Sequence, residues 1–411
     1  MKRVTYRLPA YLLIIMNLLG FSLLYMANDY QASVFYVGIG VLALFLLIYS
    51  VLVICRMGDK FLVLIASMLM TMGILMLCRL DIVMGARQIV WIGVGSIVFF
   101  LSYIVYYKIR FWDKLWFFYA AAGVMLFVMT LVFGMTVNGS RNWISLGIIA
   151  FQPSETIKIL YVMFLACHYS GSWNRPFLRL TPMLMTGAVT YLYIIFLVLQ
   201  RDWGTILVVF SIFIFMIYVY EKKPWFLFGN VAAALVVAFF GYKFLYHIQV
   251  RVGVWLDPWT DISNKGYQIA QSLFAISSGG YFGRGLGNGA PDYIPEAHTD
   301  FIFSAICEEM GVFGGAAIII LYFLFSYRCF KIALNTENLY NKAVALGLTL
   351  MFSLQTFIII GGVIKFIPLT GITLPFVSYG GTSIVVSFAS MGIIQAISAI
   401  EDRKGAVRIE R

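Results

Sequence analysis

Apolar runs of about 20 residues, the length that crosses a bilayer as one helix, recur along almost the whole chain. They lie near residues 9–27, 33–55, 61–79, 88–107, 114–135, 153–169, 181–199, 204–220, 225–247, 301–327, 343–364 and 379–400. The expected fold is all-α, a polytopic integral membrane protein of about 12 transmembrane helices. Two of the runs, 153–169 and 204–220, hold or adjoin charge. Composition excludes a soluble globular chain: 62% of the 411 residues are hydrophobic and 11% charged, against roughly 25% charged in soluble domains.

Orientation follows from Lys and Arg, which concentrate in cytoplasmic loops. An even number of spans puts both termini on one side. That side collects Lys2, Arg3, Arg7, Arg56, Lys60, Lys108, Arg110, Lys114, Arg175, Arg179, Lys222, Lys223, Arg328, Lys331, Lys342, Arg403, Lys404, Arg408 and Arg411, most of the 29 basic residues. Both termini are therefore expected in the cytoplasm, with loops 138–152, 200–203, 249–299 and 366–378 facing outward. The net charge of +11 is then a topology signal, reinforced by anionic membrane lipids, and not a nucleic-acid footprint.

Cys55, Cys78, Cys167, Cys307 and Cys329 all fall in or at the ends of spans with no CxxC pair, which argues against disulfides or a zinc site. No small-residue cleavage site follows the first run, so it reads as a retained span and not a signal peptide. Loop 249–299 is the one long extramembrane piece, and loops of that length in compact proteins tend to be functional. Within it, 266–278 spaces Ile269, Leu273 and Ile276 as one helical face, with Gln268, Gln271 and Ser272 turned away. That pattern suits a short amphipathic or re-entrant helix.

The chemistry-bearing stretch is Tyr293-Ile294-Pro295-Glu296-Ala297-His298-Thr299-Asp300-Phe301, followed by Cys307-Glu308-Glu309-Met310-Gly311. Asp300 stands where a polar loop enters a long apolar helix. Either Asp300 or Thr299 merely caps that helix, or Asp300 uses the water–lipid boundary for chemistry. Glu155 and Lys158, one helical turn apart behind Pro153, can pair, either as a bundle-holding ion pair or as the lining of a polar cavity. Arg141 beside Asn142-Trp143 is suited to phosphate oxygens. Asp202 in Gln200-Arg201-Asp202-Trp203-Gly204-Thr205 reads first as a cap. The glycine-rich run 279–289 lacks the strand and helix of a nucleotide loop. Its amides suit an anionic group, with Arg284 as counter-charge. Leu374-Pro375-Phe376-Val377-Ser378-Tyr379-Gly380-Gly381 forms a second tight polar turn entering the last span.

Taken in order, several of these segments resemble the SEDS (shape, elongation, division and sporulation) family. They are Gly139-Ser140-Arg141-Asn142-Trp143-Ile144, Phe151-Gln152-Pro153-Ser154-Glu155 with Lys158, and Asp202-Trp203-Gly204-Thr205. Tyr267-Gln268 with Gln271-Ser272-Leu273, Gly283-Arg284-Gly285-Leu286-Gly287, Pro295 to Phe301 and Leu374 to Gly381 complete the set. Any one motif is weak; the ordered set, from about residue 61 to 400, is specific. Departures exist: Asn142 separates Arg141 from Trp143, which are usually adjacent in the family. Arg201 stands where Pro commonly precedes the Asp, Ile stands for a common Asn within 358–361, and Lys365 replaces a small residue.

The resemblance implies a peptidoglycan glycosyltransferase that polymerises lipid II, an undecaprenyl-pyrophosphate-linked disaccharide-pentapeptide, outside the bacterial cytoplasmic membrane. It implies a ten-helix core over 59–411, with an added helix pair at 1–58, and a class B penicillin-binding protein as partner. Asp300 matches the family's essential acid. Arg141, Glu155, Lys158, Asp202, Gln271, Arg284, His298 and Ser378 fall in or beside its motifs as substrate-binding candidates. Asp300 would be the general base, with Arg141 and Arg284 stabilising the departing pyrophosphate. An α-linked pyrophosphate would become a β-linkage by single inversion. No cofactor is identifiable, and a need for a divalent cation stays open. The rivals are a lipid II transporter or flippase and an inactive scaffold paralogue. A carrier would place its key groups at mid-membrane between related halves, whereas these motifs crowd into outward loops.

Overall fold

The computed structural model describes residues 7–27, 30–137, 139–145, 147, 150–171, 182–221 and 223–409. Lys2, Arg3, Arg175, Arg179, Lys222, Arg411 and Asn138, and the side chains of Arg7 and Arg408, lie outside the described residues. Among those described, 11 helices are long and apolar enough to cross a membrane. They are α1 (Arg7–Ala27), α2 (Ala32–Ile54), α3 (Lys60–Leu80), α4 (Ile82–Lys108), α5 (Trp116–Phe133), α7 (Pro182–Gln200), α8 (Trp203–Tyr220), α9 (Pro224–Phe244), α12 (Ile302–Asn335), α13 (Leu339–Val363) and α14 (Gly381–Ile409). The run expected at 153–169 forms α6 (Pro153–Tyr169), 17 residues long. It is short because Pro153 opens it and Gly171, at φ 72, follows its end.

Two differences from the expected boundaries have local causes. Helix α4 starts at Ile82 because the Asp81 carboxylate accepts from the Val83 amide at 2.8 Å and caps it. Helix α12 is broken at Gly311, whose φ of 71 no helix contains. A small antiparallel sheet was not anticipated: β1 (Met135–Val137), β2 (Ser140–Ser145) and β3 (Ala150–Phe151), in the order β1-β2-β3. It pairs the backbone of the loop between α5 and α6.

The chain divides into two compact units. Residues 1–99, 249–328 and 356–391 form the first, and residues 100–248, 329–355 and 392–411 the second. In the first, α1, α2 and α3 pack together, and α3 is buried along nearly its whole length. The loop 249–299 begins in α10 (Tyr246–Leu256) and holds α11 (Tyr267–Gly279). Helix α11 buries Ile269, Ala270, Ser272, Ala275 and Gly279. Ser272 thus points inward, contrary to its expected outward placement. Its hydroxyl lies 2.7 Å from that of Ser304 and donates to the Val363 carbonyl at 3.2 Å. Small residues beside Ile269 let α11 approach closely, while Leu273 and Ile276 are only half-buried. In the second unit, α5 packs on α6 and α7, and α8 on α6, α7 and α9.

Candidate active site

Asp300 sits in the last turn before α12, half-buried. Among the described residues no α12 amide bonds its carboxyl, so capping does not account for it. Burial pushes its pKa up to about 7; Glu296 pushes the same way, while Arg251 and the Thr299 hydroxyl oppose it. A carboxyl that titrates near neutrality is poised to take a proton at physiological pH.

Three pieces of the first unit hold the turn that carries this carboxyl. Glu296 adopts φ 56, rare for a residue with a side chain, and its carbonyl accepts from the amides of Thr299 and Phe301. That turn brings the Thr299 hydroxyl to 3.2 Å from the Glu296 carboxylate and sets His298 3.8 Å from it. Next, the loop before α14 docks on the turn. The Ser378 hydroxyl donates to the Thr299 carbonyl at 2.6 Å and accepts from the Leu374 amide at 2.9 Å. The Tyr379 amide donates to the His298 carbonyl at 2.9 Å. Finally, Arg251 of α10 donates to the carbonyls of Leu369 and Thr370 at 3.2 and 3.1 Å. The next residue, Gly371, at φ 72, lies so close to Asp300 that a Cβ there would stand 3.3 Å from Oδ2. Arg251 was not anticipated, because nothing in its local sequence links it to a segment more than a hundred residues away.

The glycine-rich run adopts the expected turn but faces a different anion. Gly280, Gly283, Gly285 and Gly287 all have positive φ. The Gly287 amide donates to Glu309 at 3.1 Å and the Ala290 amide to Glu308 at 3.0 Å. The backbone amides of Arg284 and Gly285 reach the carbonyls of Glu308 and Glu309, and those of Val312 and Phe313 reach back to Gly280 and Tyr281. A Cβ on Gly311 would lie 2.3 Å from the Tyr281 carbonyl oxygen and the Gly283 nitrogen. The break in α12 and the loop therefore require each other. Arg79 of α3 completes the clamp, 2.9 Å from Glu309 and donating to the Gly287 and Gly289 carbonyls. The expected cradle is filled from within the chain. The exposed Arg284 guanidinium, 3.6 Å from Glu308, remains open to solvent on its outer side. Gln271, half-buried, precedes the Ser272 contact on α11.

The remaining candidates lie in the second unit. Glu155 and Lys158 pair at 2.8 Å, both buried, and Lys158 also donates to Gln355 at 2.8 Å. Gln355, on α13, escaped the sequence reading because its partner lies in a distant helix. Asp202 caps α8 by accepting from the Thr205 amide at 3.1 Å, and its other oxygen accepts from Ser154 and Asn142 at 3.1 and 3.4 Å. The inserted Asn142 is thus the side chain that ties the sheet to the cap. Arg201 has φ 60, a conformation closed to proline, which explains its departure from the family pattern. Lys365, at φ 63, likewise holds a turn that a small residue commonly fills. Arg141 donates to the carbonyls of Gly134 and Val132 at 2.9 and 3.3 Å, covering the C-terminal end of α5. There it neutralises a helix end, so at least one edge of its guanidinium is spoken for. Among the described residues no cluster of His, Cys, Asp and Glu could hold a metal ion.

The chain is similar to known proteins over most of its length. The sequence model of the FtsW/RodA/SpoVE cell cycle proteins matches residues 59–403. The peptidoglycan glycosyltransferase RodA of Mycobacterium leprae (strain TN) is 33% identical over 368 residues, covering 83% of this chain and 77% of the relative. Stage V sporulation protein E of Bacillus subtilis (strain 168) is 35% identical over 369 residues, covering 83% and 96%. Among solved structures, a chain described in work on polymerization and crosslinking by a peptidoglycan synthase complex superposes with TM-score 0.72 at 28% identity, covering 84% of this chain and 98% of that one. The crystal structure of Thermus thermophilus rod shape determining protein RodA gives 0.61 at 27% identity, covering 83% and 96%. A match of this extent, carried by sequence and by structure alike, makes the chain a member of the FtsW/RodA/SpoVE family, the SEDS peptidoglycan glycosyltransferases.

Proposed function

We propose that this protein polymerises lipid II into glycan strands at the outer face of the bacterial cytoplasmic membrane. The observation that carries the reading is Asp300, half-buried at the mouth of α12, unused as a cap, with its pKa raised to about 7. There it would take the proton from the acceptor sugar hydroxyl as that oxygen attacks the anomeric carbon of the donor. The bond to pyrophosphate breaks as the glycosidic bond forms, so the anomeric centre inverts and undecaprenyl pyrophosphate leaves. Arg251 supplies positive field beside Asp300, and Arg284 presents a solvent-facing guanidinium that suits the departing pyrophosphate. His298 and Ser378 hold the Asp300 turn from either side.

In this reading residues 1–58 add a helix pair to a catalytic core at 59–411, both termini are cytoplasmic and 249–299 is external. Gln271 would line the substrate path. Arg141, Glu155, Lys158 and Asp202 mainly hold the elements of the second unit in place. A single-span class B penicillin-binding protein is the expected partner, and the likeness to a peptidoglycan synthase complex supports it. The test is direct: purified protein, alone and with such a partner, is given lipid II and the products are resolved by size. Glycan chains made by either preparation support the reading. Intact lipid II from both, with folded protein, overturns it.

A further inference from the structure

The family match begins at residue 59, so α1 and α2 lie ahead of the matched residues, and in the reading above they are an added pair. They nonetheless pack closely on each other and on α3. Helix α2 buries Val34, Gly38, Val41, Phe45, Ile48 and Leu52, an alternating spacing of four and three that lays one continuous seam along a helix. Helix α1 buries Leu13, Asn17, Phe21 and Leu24 on one face, while Leu12, Ile15, Leu19 and Leu23 stay exposed on the other.

Glycines bring the seams into close contact. A Cβ at Gly38 would lie 2.6 Å from the Phe21 ring, and one at Gly20 2.5 Å from Leu75 of α3. Helix α1 is therefore locked against α3. The last residue of α1, Ala27, reaches the glycine-rich loop: a Cβ at Gly287 would stand 2.7 Å from the Ala27 Cβ. Gly287 is the residue whose amide Glu309 holds and whose carbonyl Arg79, in the last turn of α3, also holds.

We infer that the added helix pair positions the glycine-rich loop, by seating the end of α1 on Gly287, and through that loop steadies the segment that carries Asp300. The consequence for catalysis rests on the polymerase reading; the positioning itself does not. The chain runs directly from Gly287 through Ala290, whose amide Glu308 fixes, to the Glu296 turn. Three supports meet at one residue: the end of α1, the last turn of α3, and the first half of α12. Loss of one loosens a loop that lies outside any helix or strand at Gly287 and depends on these contacts.

The test uses the full-length chain with Gly287→Ala, Ala27→Gly, the two combined, and Ala27→Leu. Backbone hydrogen exchange over 279–300 is measured alongside kcat and KM for lipid II. Gly287→Ala should speed exchange of the loop by about tenfold, through both overlap with Ala27 and its positive φ, and lower kcat with KM nearly kept. Ala27→Gly removes the methyl that seats on Gly287, and should speed exchange of the loop and lower kcat in the same direction but less than Gly287→Ala; no change in either would overturn the inference. The double variant should recover the part due to overlap, in exchange and in kcat together. Ala27→Leu presses on the same contact with no change to the loop's own sequence, and carries the test if Gly287→Ala fails to fold. A double variant no better than Gly287→Ala, or a loop whose exchange ignores Ala27→Leu, overturns the inference. Coupled exchange in a chain that makes no glycan supports the positioning and overturns the polymerase reading.

Discussion

The hydroxyl of Ser378 donates to the backbone carbonyl of Thr299 at 2.6 Å, joining the loop before α14 to the residue that precedes Asp300. The same oxygen accepts from the Leu374 amide at 2.9 Å, so one small side chain serves both segments. Ser378→Ala would leave the buried Leu374 amide unpaired, which costs about 1–3 kcal/mol. Thermal unfolding of the purified variant should fall accordingly. Turnover of lipid II should fall further than stability alone explains, because the Asp300 turn loses its tie. Unchanged stability and turnover would remove Ser378 from this role.

Glu155 and Lys158 form a buried pair with Gln355 as a third member. Removing one partner strands a buried charge, at a cost of about 3–5 kcal/mol. Glu155→Gln and Lys158→Met should each lower the yield of folded protein in the membrane, and exchanging the two residues should restore part of it. Normal abundance with lost polymerisation would show instead that the pair meets the substrate.

The pH dependence of turnover carries its own sign. Burial, with the Glu296 charge behind it, lifts Asp300 to about 7, and a general base works only when deprotonated. Activity should rise with pH through about 7 and level above it. Glu296→Gln removes a repulsive neighbour, so its midpoint should move to lower pH. Stability runs the other way. Folding favours the protonated acid, so the Asp300 contribution is lost as pH rises from about 4 through about 7. A flat profile across that range would contradict the assignment.

Sidedness gives a separate check. A cysteine placed by Asn288→Cys should react with an impermeant thiol reagent in intact cells, measured above the parent chain, and one placed by Asn335→Cys should not. The reverse pattern would put the glycine-rich loop and Asp300 on the cytoplasmic side.

Much of this was legible in the chain because hydropathy is local. A run of apolar residues fixes a span by itself, and the Asp202 cap and the Glu155–Lys158 pair depend on neighbours three residues apart. Partners drawn from distant segments do not. Arg251 meets the Asp300 turn through Leu369 and Thr370, Gln355 meets Lys158 from another helix, and Arg79 finds Glu309 across more than two hundred residues. The glycine-rich loop shows the limit most plainly. Its conformation was readable from its glycines, but the group its amides hold was not, because Glu308 and Glu309 are placed there by the break at Gly311. Ser272 faces inward, against the apolar pattern, because small residues beside Ile269 seat α11.

The most direct measurement is the turnover of Asp300→Asn. Asparagine keeps the size of the side chain, and among the described residues no α12 amide depends on the carboxyl, so the variant should fold at least as stably above pH 7. It should still bind lipid II. An amide takes no proton near neutral pH, and losing general-base catalysis lowers rates by about 10²–10⁴-fold. The account predicts folded, lipid II-binding protein that makes essentially no glycan, and near-normal polymerisation by Asp300→Asn would contradict it.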